Sequence, residues 1–178
     1  MLWLDSGSHD PFYNLALEEH LFQTVREDEV FFLWRNTPCV VVGSFQSICR
    51  EVRAAELYHL GIPVLRRMSG GGTIYTDLGG WQFSFIQHRE TGEIEFSQYI
   101  MPVLEALEEM GVHAAFNGRN DLTIQGRKFS GNAQYRLEDC IVHHGSLLFD
   151  TNIRQMVEST TVDSYKILSK SIKSVRDR

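Results

Sequence analysis

Short strand-length segments dominate this sequence and restrict the folds open to it. Runs such as residues 30–34, 81–87 and 140–149 are rich in β-branched and aromatic residues and are bounded by turn residues. The pattern predicts roughly nine strands and only four helices, the helices over residues 10–25, 50–60, 97–110 and 151–158. We expect Asp10 to cap the first helix, with Pro11 at its first position and a broad apolar face formed by Phe12, Leu15, Leu17, Leu21, Phe22 and Val25. Strands and helices do not alternate strictly. We therefore predict one α+β domain, a mixed, mostly antiparallel β-sheet flanked by helices.

Composition and charge exclude several classes of protein. The chain has 178 residues, 43% of them hydrophobic and 22% charged, which is typical of one soluble globular domain. A net charge of −6 disfavours a general nucleic-acid binder, whereas local clusters of arginine and lysine suit a small anionic ligand. No apolar run approaches the ~20 residues of a membrane helix, and the first residues do not resemble a secretory signal. We expect a cytoplasmic protein without nucleic-acid or membrane partners.

The three cysteines, Cys39, Cys49 and Cys140, are scattered and odd in number. They match neither a disulfide framework nor the spacing of a zinc site. Together with the missing export signal, they indicate a reducing compartment. We expect all three to be small buried hydrophobic residues.

Three consecutive glycines, Gly70 to Gly72, stand between two predicted strands and follow Arg66 and Arg67. Because glycine has no Cβ, a ligand can lie directly against this backbone. Arginine is well suited to carboxylate and phosphate groups. The segment predicts an anion-binding loop; a hairpin turn and a solvated strand end are the alternatives.

A second polar motif runs from Asn117 through Asp121 to Lys128 and on to Gln134. Its Asn-Gly dipeptide and Gly126 are turn signals, so two plain hairpin turns are one interpretation. However, a carboxylate near a lysine and several amides also suits the binding of Mg²⁺ and phosphate.

A third motif, His143-His144 in an apolar run, places two imidazoles on opposite faces of a strand. It therefore cannot chelate one metal, and one packed and one surface histidine is the plain interpretation.

Five segments occur in an order and spacing that are informative together. They are RRMSGGGTIYTDLG, NGRNDL, GRKFSGNAQ, HHGSLLFD and KSIKSVRDR. In this order they resemble the lipoate–protein ligase family over nearly the whole chain. The resemblance implies a catalytic domain of the biotin/lipoate–protein ligase type.

The resemblance also implies a two-step reaction that depends on ATP. Lipoate attacks the α-phosphate of ATP, giving lipoyl-adenylate and pyrophosphate, and a lysine ε-amine of a lipoyl-carrier domain then attacks the adenylate carbonyl. Because the first step brings negative charges together, it needs preorganised cations. The implied partners are the lipoyl domains of 2-oxoacid dehydrogenase acyltransferase subunits and the glycine-cleavage H protein, and the implied metal is Mg²⁺.

Site residues follow from the same resemblance. Lys128 is implied to be catalytic, bridging the acyl carbonyl and the adenylate phosphate, and Asp121 to bind the metal. The residues implied to bind the acyl substrate are Arg66, Ser69, Gly70, Gly71, Gly72, His144 and Gly145. Those implied to bind the nucleotide are Thr73, Tyr75, Asn120, Asp121, Lys128, Ser130, Gly131 and Ala133.

Two turns and the length depart from the family pattern. The family often has Gly-Arg-x-Gln-Asn at residues 43–47 and His-Asp-x-Gly-Asn at residues 76–80, where this chain has GSFQS and TDLGG. Members usually continue past the Ser174-Val175-Arg176 motif, so we expect residues 1–178 to form a catalytic domain that is incomplete at its C-terminus and lacks an accessory domain. The chain is then either a fragment or the partner of a separate chain. We expect its final basic residues to clamp phosphates, a solvated tail being the alternative: Lys166, Lys170, Lys173, Arg176 and Arg178.

Two other functions remain open. An octanoyl- or lipoyl-transferase of the same superfamily would move an acyl group between carriers without ATP, through a cysteine nucleophile. Against it, no cysteine stands in residues 114–121, where we expect that nucleophile, and Cys140 and His143 should face opposite sides of their strand. A non-catalytic lipoate-binding module is the other alternative.

Overall fold

The structure, a computed structural model, describes residues 1–26, 29–88 and 95–161. In chain order its elements are β1 (Leu2–Asp5), α1 (Pro11–Thr24), β2 (Val30–Trp34), β3 (Cys39–Val42), α2 (Ile48–Glu51), α3 (Ala54–Leu60), β4 (Val64–Arg66), β5 (Ile74–Thr76), β6 (Gly80–His88), α4 (Ser97–Glu109), β7 (Ala115–Phe116), β8 (Asp121–Ile124), β9 (Arg127–Leu137), β10 (Cys140–Leu148) and α5 (Ile153–Ser159). The C-terminal basic residues predicted to clamp phosphates lie outside the described ranges.

The strands form two sheets. The larger has seven strands in the order β1-β2-β6-β10-β9-β8-β7, and the smaller has the order β4-β3-β5. Only the β1–β2 and β3–β4 pairs are parallel; the other pairs are antiparallel. The predicted fold class, α+β with a mixed and mostly antiparallel sheet, is therefore confirmed, but with two sheets.

Helices cover both faces of the larger sheet. On one face α1 packs Phe22 beside Val30, Phe32, Ile86 and Val142, and Phe22 lies 5.1 Å from the ring of Tyr135. On the other face α4 packs Tyr99 against Phe85, with the ring centroids 5.7 Å apart. We call these the α1 face and the α4 face of the sheet. None of the helices in the described part of the chain is long and apolar enough to cross a membrane.

Helix α1 begins as the sequence predicts but buries a different stripe. Asp10 caps it by accepting the backbone N–H of Phe12, and Pro11 occupies the first turn. The buried positions are Pro11, Asn14, Glu18 and Phe22, while Phe12, expected on the apolar face, is 59% exposed. Two polar side chains are therefore buried: Asn14 bonds to neighbouring loops, for example to Asn36 at 2.9 Å, and Glu18 bonds to the sheet. These hydrogen bonds offset the cost of burying them.

The single helix expected over residues 50–60 is wrong; α2 and α3 are separate. Val52 interrupts them by forming a bridge with Thr160, and the Arg53 backbone N–H donates to Ser159 O at 3.2 Å. This backbone pairing with the segment after α5 competes with a continuous helix. Val52 is instead buried beside Leu57 and Met156, in the core behind the smaller sheet.

Candidate active site

The glycine loop, residues 67–73, joins two strands that are not neighbours. β4 and β5 lie on either side of β3, so the loop crosses the end of β3 and the hairpin alternative is excluded. Gly71 has a φ of +92°, a conformation that side chains rarely adopt. The loop also packs closely on the chain at Gly43, where a Cβ would overlap the Gly71 carbonyl.

Two arginines hold the loops around these glycines. The buried Arg67 guanidinium donates to the carbonyls of Gly70 at 2.8 Å and Gly72 at 2.7 Å. Arg66 donates instead to the carbonyls of residues 43, 44 and 46, at 2.8–3.1 Å. The Thr73 hydroxyl contacts Gln46 and Glu51 at 2.7 and 2.8 Å. The solvated strand end considered for the two arginines is therefore wrong for the buried Arg67, whereas Arg66 does end β4 in an exposed position and also binds loop carbonyls.

A buried chain of hydrogen bonds anchors the glycine loop to the α1 face. Ser69 Oγ lies 2.6 Å from His144 Nε2, and His144 Nδ1 lies 2.9 Å from Glu18 Oε1. Arg67 Nε donates to Ser69 Oγ at 3.0 Å, and Ser84 donates to Glu18. The order Glu–His–Ser matches a hydrolase triad, but Ser69 is completely buried and held by Arg67, so it is not presented as an exposed nucleophile; its implied contact with the acyl substrate stays a prediction. The chain instead fixes the loop relative to β10.

Burial and the attraction between charged groups set the pKa values of Glu18 and Arg67 in this buried chain of hydrogen bonds. Burial raises the pKa of Glu18, but attraction to His144 and the hydrogen bonds from His144 and Ser84 outweigh it, so the pKa lies below its usual value. Burial lowers the pKa of Arg67 to about 10, and Glu18 acts against that shift. Glu18 is thus a carboxylate at neutral pH, and Arg67 a cation.

A cavity of about 390 Å³ opens between α1, β4 and the first residues of the glycine loop. The apolar part of the cavity wall is formed by Leu15, Ala16, Val64 and Leu65. Its charged part is formed by Glu18 and Arg67, which belong to the buried chain of hydrogen bonds. Its size is that of small-molecule sites, which are typically apolar with few polar groups. The cavity can therefore accept an aliphatic chain next to the glycine loop.

The second motif forms a turn that presents a carboxylate to a lysine. Asn117 Oδ1 accepts the backbone N–H groups of Arg119, Asn120 and Asp121 at 3.0–3.2 Å. Asp121 begins β8, and its carboxylate forms an ion pair with Lys128 on β9. Both side chains are about a quarter exposed, so a ligand can reach them.

A β-bulge on β9 decides which way Lys128 points. Leu122 pairs with Ser130 and Thr123 pairs with Lys128, which leaves Phe129 without a partner on β8. In an unbroken register Lys128 would lie on the face opposite Asp121; the extra residue returns it to the same face. Gly131, opposite Asp121, leaves room for the lysine, since a Cβ there would lie 3.1 Å from Lys128 Nζ.

The strand register brings several predicted residues onto one face. Asp121 pairs with Gly131, Gly131 with Ser146, and Ala133 with His144. Because side chains alternate along strands, these residues and Lys128 lie on the α1 face. His144 is the residue on which the glycine loop is anchored. The structure thus assembles the loop, His144, Ala133, Gly131, Asp121 and Lys128 into one surface.

Other predicted site residues lie away from this surface. The side chain of Ser130 faces the α4 side, and Gly145 also lies on that side, where a Cβ would overlap Asn132 and Phe83. Tyr75 is buried behind the smaller sheet, and its hydroxyl donates to Gln155 at 2.5 Å. Asn120 contributes through its backbone carbonyl, which accepts from Asn132.

Two sequence interpretations of histidine and cysteine are corrected here. His143 and His144 are both buried, so neither is a surface histidine. Cys39 and Cys140 are buried as expected, and burial raises the pKa of each thiol to about 11, but Cys49 is exposed. Cys140 packs on the α1 side and His143 stacks with Tyr99 on the α4 side, which confirms the expected opposite faces.

The sequence interpretation missed Glu18 entirely, and it named Arg67, Asn132 and His143 within motifs without the contacts that they make here. Polar residues at Asn14 and Glu18, four apart on a helix with apolar neighbours, are a signal that could have identified the buried carboxylate. The roles of Asn132 and His143 depend on the pairing of β9 with β10. No local pattern reveals such a pairing.

Comparison with known proteins agrees with this arrangement. Lipoate-protein ligase LplJ of Bacillus subtilis (strain 168) is 39% identical over 181 residues, which cover 100% of this chain and 55% of that protein. The chain spans about half the length of the curated relatives it matches.

Two solved structures share the fold. P. falciparum LipL1, in complex with lipoate, has a TM-score of 0.84 at 27% identity, covering 97% of this chain and 55% of that chain. A bi-partite lipoate protein ligase from Thermoplasma acidophilum, studied with its E2 lipoyl domain, has a TM-score of 0.84 at 26% identity, covering 99% of this chain and 71% of that chain. A family model described as the lipoyl protein ligase A/B catalytic domain matches residues 10–178, and the chain belongs to that family.

Proposed function

We propose that this chain is the adenylating catalytic domain of an ATP-dependent lipoate–protein ligase. The observation that carries the proposal is the shared surface of the anchored glycine loop and the Asp121–Lys128 pair. The glycine loop suits an acyl carboxylate, and the Asp121–Lys128 pair suits a phosphate. The relatives named as lipoate–protein ligases support the same conclusion.

The acyl chain is proposed to occupy the cavity beside α1, with its carboxylate toward Lys128. A lipoyl group is aliphatic, and the cavity offers Leu15, Val64 and Leu65 as wall. The backbone of Gly70 to Gly72 carries no side chains and permits close approach. Lipoate rather than another medium-length acid is the proposed substrate, and octanoate is the comparison to test.

Lys128 is proposed to stabilise the charge that develops during adenylation. A lipoate oxygen forms a bond to the α-phosphorus, and the bond from that phosphorus to pyrophosphate breaks. In the second step the amine of a carrier lysine bonds to the acyl carbon, AMP leaves, and the amine loses a proton. A cation placed between carbonyl and phosphate lowers the barrier of both steps.

The residues present fit Mg²⁺ held jointly with the nucleotide. Within the described ranges, no group of three or more His, Cys, Asp or Glu side chains could hold a metal alone. Mg²⁺ commonly binds one or two carboxylates together with substrate phosphates and water. Asp121 is the carboxylate in reach of the phosphate site, and the metal would neutralise phosphate charge there.

The cysteines argue against the transferase alternative. Cys39 and Cys140 are buried with raised pKa values, and the exposed Cys49 lies on α2, with no hydrogen bond to a base among the contacts of the described residues. A nucleophilic thiol needs activation by a base or a lowered pKa. The acceptors proposed for the lipoyl group are lipoyl domains of 2-oxoacid dehydrogenase acyltransferase subunits and the glycine-cleavage H protein.

The test separates the three functions in one experiment. The chain is incubated with lipoate, ATP and Mg²⁺, and pyrophosphate release is measured, followed by lipoylation of an added lipoyl domain. We expect pyrophosphate release that depends on lipoate, slow for the 178-residue chain alone and faster when the remaining catalytic segment or a partner chain is supplied. Acyl transfer from an octanoyl carrier without ATP would instead indicate the transferase. If neither reaction occurs, and a sulfamoyl analogue of lipoyl-adenylate does not bind in calorimetry, the ligase proposal is wrong.

A further inference from the structure

His143 is a buried imidazole that the proposed chemistry does not use. It lies on the α4 face, opposite the candidate active site, and its side chain is inaccessible to solvent. Tyr99 stacks on its ring at 5.0 Å, and Phe96 meets it edge-on at 5.4 Å. An imidazole in such an aromatic pocket is costly unless both nitrogens find partners.

Both nitrogens of His143 do find partners, and these determine its tautomer. Gln134 Nε2 donates to Nδ1 at 2.8 Å, so the proton sits on Nε2, which lies 3.2 Å from Asn132 Oδ1. Burial, with a smaller contribution from His144, lowers the pKa of His143 to about 3. The ring is therefore neutral at neutral pH and donates one directed hydrogen bond to Asn132.

Asn132 connects His143 to the turn that precedes Asp121. Its side-chain amide donates to Asn120 O at 3.1 Å, and its backbone N–H donates to the same carbonyl at 2.8 Å. Asn120 ends the turn that Asn117 organises, and the next residue is Asp121, the partner of Lys128. The Asn132 side chain fits because its cross-strand neighbour, Gly145, has no Cβ.

We propose that His143 is a positioning residue for adenylation: by orienting the Asn132 amide, it holds the Asn120 carbonyl and thereby aims Asp121 at Lys128. This inference rests on the proposed ligase function. The chain of contacts runs from the α4 face to the α1 face through one backbone carbonyl. Its loss should affect the placement of Asp121 and Lys128 and leave the acyl cavity, held by Arg67 and His144, unchanged.

Variants at position 143 separate positioning from packing. His143→Phe keeps an aromatic ring against Tyr99 and Phe96 but removes the donor to Asn132. His143→Gln keeps an amide N–H near the Nε2 position. Tyr99→Phe is the matched control, since it removes a partly buried hydrogen bond to Gln87 and keeps the ring that stacks on His143.

Two readouts are measured for the wild-type chain and the three variants. The first is lipoate-dependent pyrophosphate release with MgATP. We expect His143→Phe to lower kcat about 10-fold or more with little change in the KM for lipoate, and His143→Gln to recover most of the rate. The second is hydrogen exchange, where His143→Phe should speed exchange at the amides of residues 119–121 and not along β6, and Tyr99→Phe should change neither readout.

Each outcome bears on one proposal. If wild-type chain releases pyrophosphate and His143→Phe matches it in kcat and in exchange, the positioning role is wrong. Faster exchange across the whole sheet, with Gln as poor as Phe, would show a packing role only and also overturn it. If wild-type chain releases no pyrophosphate and binds no adenylate analogue, the ligase function fails, while exchange at residues 119–121 still decides whether His143 holds the turn.

Discussion

At the scale of single residues, the candidate site depends on one cation whose surroundings set its direction. Lys128 forms an ion pair with Asp121 and lies over Gly131. A side chain at position 131 would take up part of the space that the lysine occupies. Its ammonium group is thus placed before a ligand arrives, which is how electrostatic catalysis avoids reorganisation in the transition state. Arg127, its neighbour, is exposed and provides a natural comparison.

Replacing Lys128 with alanine should impair adenylation by at least ~100-fold, because stabilisation of developing charge is lost. The measurement is pyrophosphate release with lipoate and MgATP, followed by isolation of the adenylate. Arg127→Ala, which removes an equal charge one residue away, should keep near wild-type rates. Equal rates for Lys128→Ala and wild type would contradict the assignment.

The cysteines should be dispensable. A chain carrying Cys39→Ser, Cys49→Ser and Cys140→Ala should adenylate lipoate at a rate close to wild type, because the serine retains the hydrogen bond to Thr76 and the alanine suits the apolar core. The rate is measured after thermal melting has shown that the variant folds. Loss of activity together with a trapped acyl-thioester on wild-type chain would favour the transferase.

At the scale of elements, polar contacts between elements hold the glycine loop. The loop lies between strands that do not pair with each other, and Arg67, Ser69 and His144 tie it to β10 and through Glu18 to α1. The buried polar stripe of α1 is therefore a structural part of the site. A substitution in the loop should show its effect in acyl binding.

Gly71→Val should weaken lipoate binding and destabilise the chain. At a φ of +92° a β-branched residue is strained, and its Cβ would lie 3.1 Å from Arg67 Nη2. The strain costs on the order of 1–3 kcal/mol of unfolding free energy. Gly72→Ala, where a Cβ meets nothing within 4 Å, should leave that free energy near wild type. Calorimetry with lipoate and denaturant titration measure the two effects, and unchanged lipoate affinity in Gly71→Val would contradict the loop's role.

At the scale of the whole molecule, two buried titratable groups make the free energy of unfolding depend on pH. His143, with its pKa lowered to about 3, stays neutral in the folded chain, whereas the unfolded chain binds a proton below about 6.5. The unfolded state thus binds more protons between these values, and stability falls as the pH falls through that window. Glu18, with its pKa lowered, adds a loss that begins only below its unfolded value of 4.5.

We expect the free energy of unfolding to decrease from pH 6.5 toward pH 4.5 by an amount on the order of a few kcal/mol, mostly through His143. His143→Phe should flatten this part of the curve. Glu18→Gln, which breaks the buried contact with His144 and so lowers stability overall, should remove the further loss below pH 4.5. Urea denaturation at several pH values measures both. A His143→Phe curve parallel to wild type over this window would show that other groups titrate there.

The fold class, the capped start of α1 and most strand positions could be predicted from the sequence, because these depend on local periodicity and turn residues. The ordered motifs also identified the family that the comparison then showed. Lys128 and Asp121 could also be predicted from the sequence, because both are polar residues beside turn signals and each stands in a recognisable motif.

How those residues meet depends on the pairing of distant strands. The bulge at Phe129 turns Lys128 to the face of Asp121, and the pairing of β9 with β10 places Asn132 beside Gly145. The tertiary structure also places the Ser130 side chain beside Asn132 on the α4 side and buries Tyr75 behind the smaller sheet, while their implied contacts with the nucleotide stay predictions. Register and sheet order arise from contacts between residues far apart in the chain, so one-dimensional patterns do not contain them.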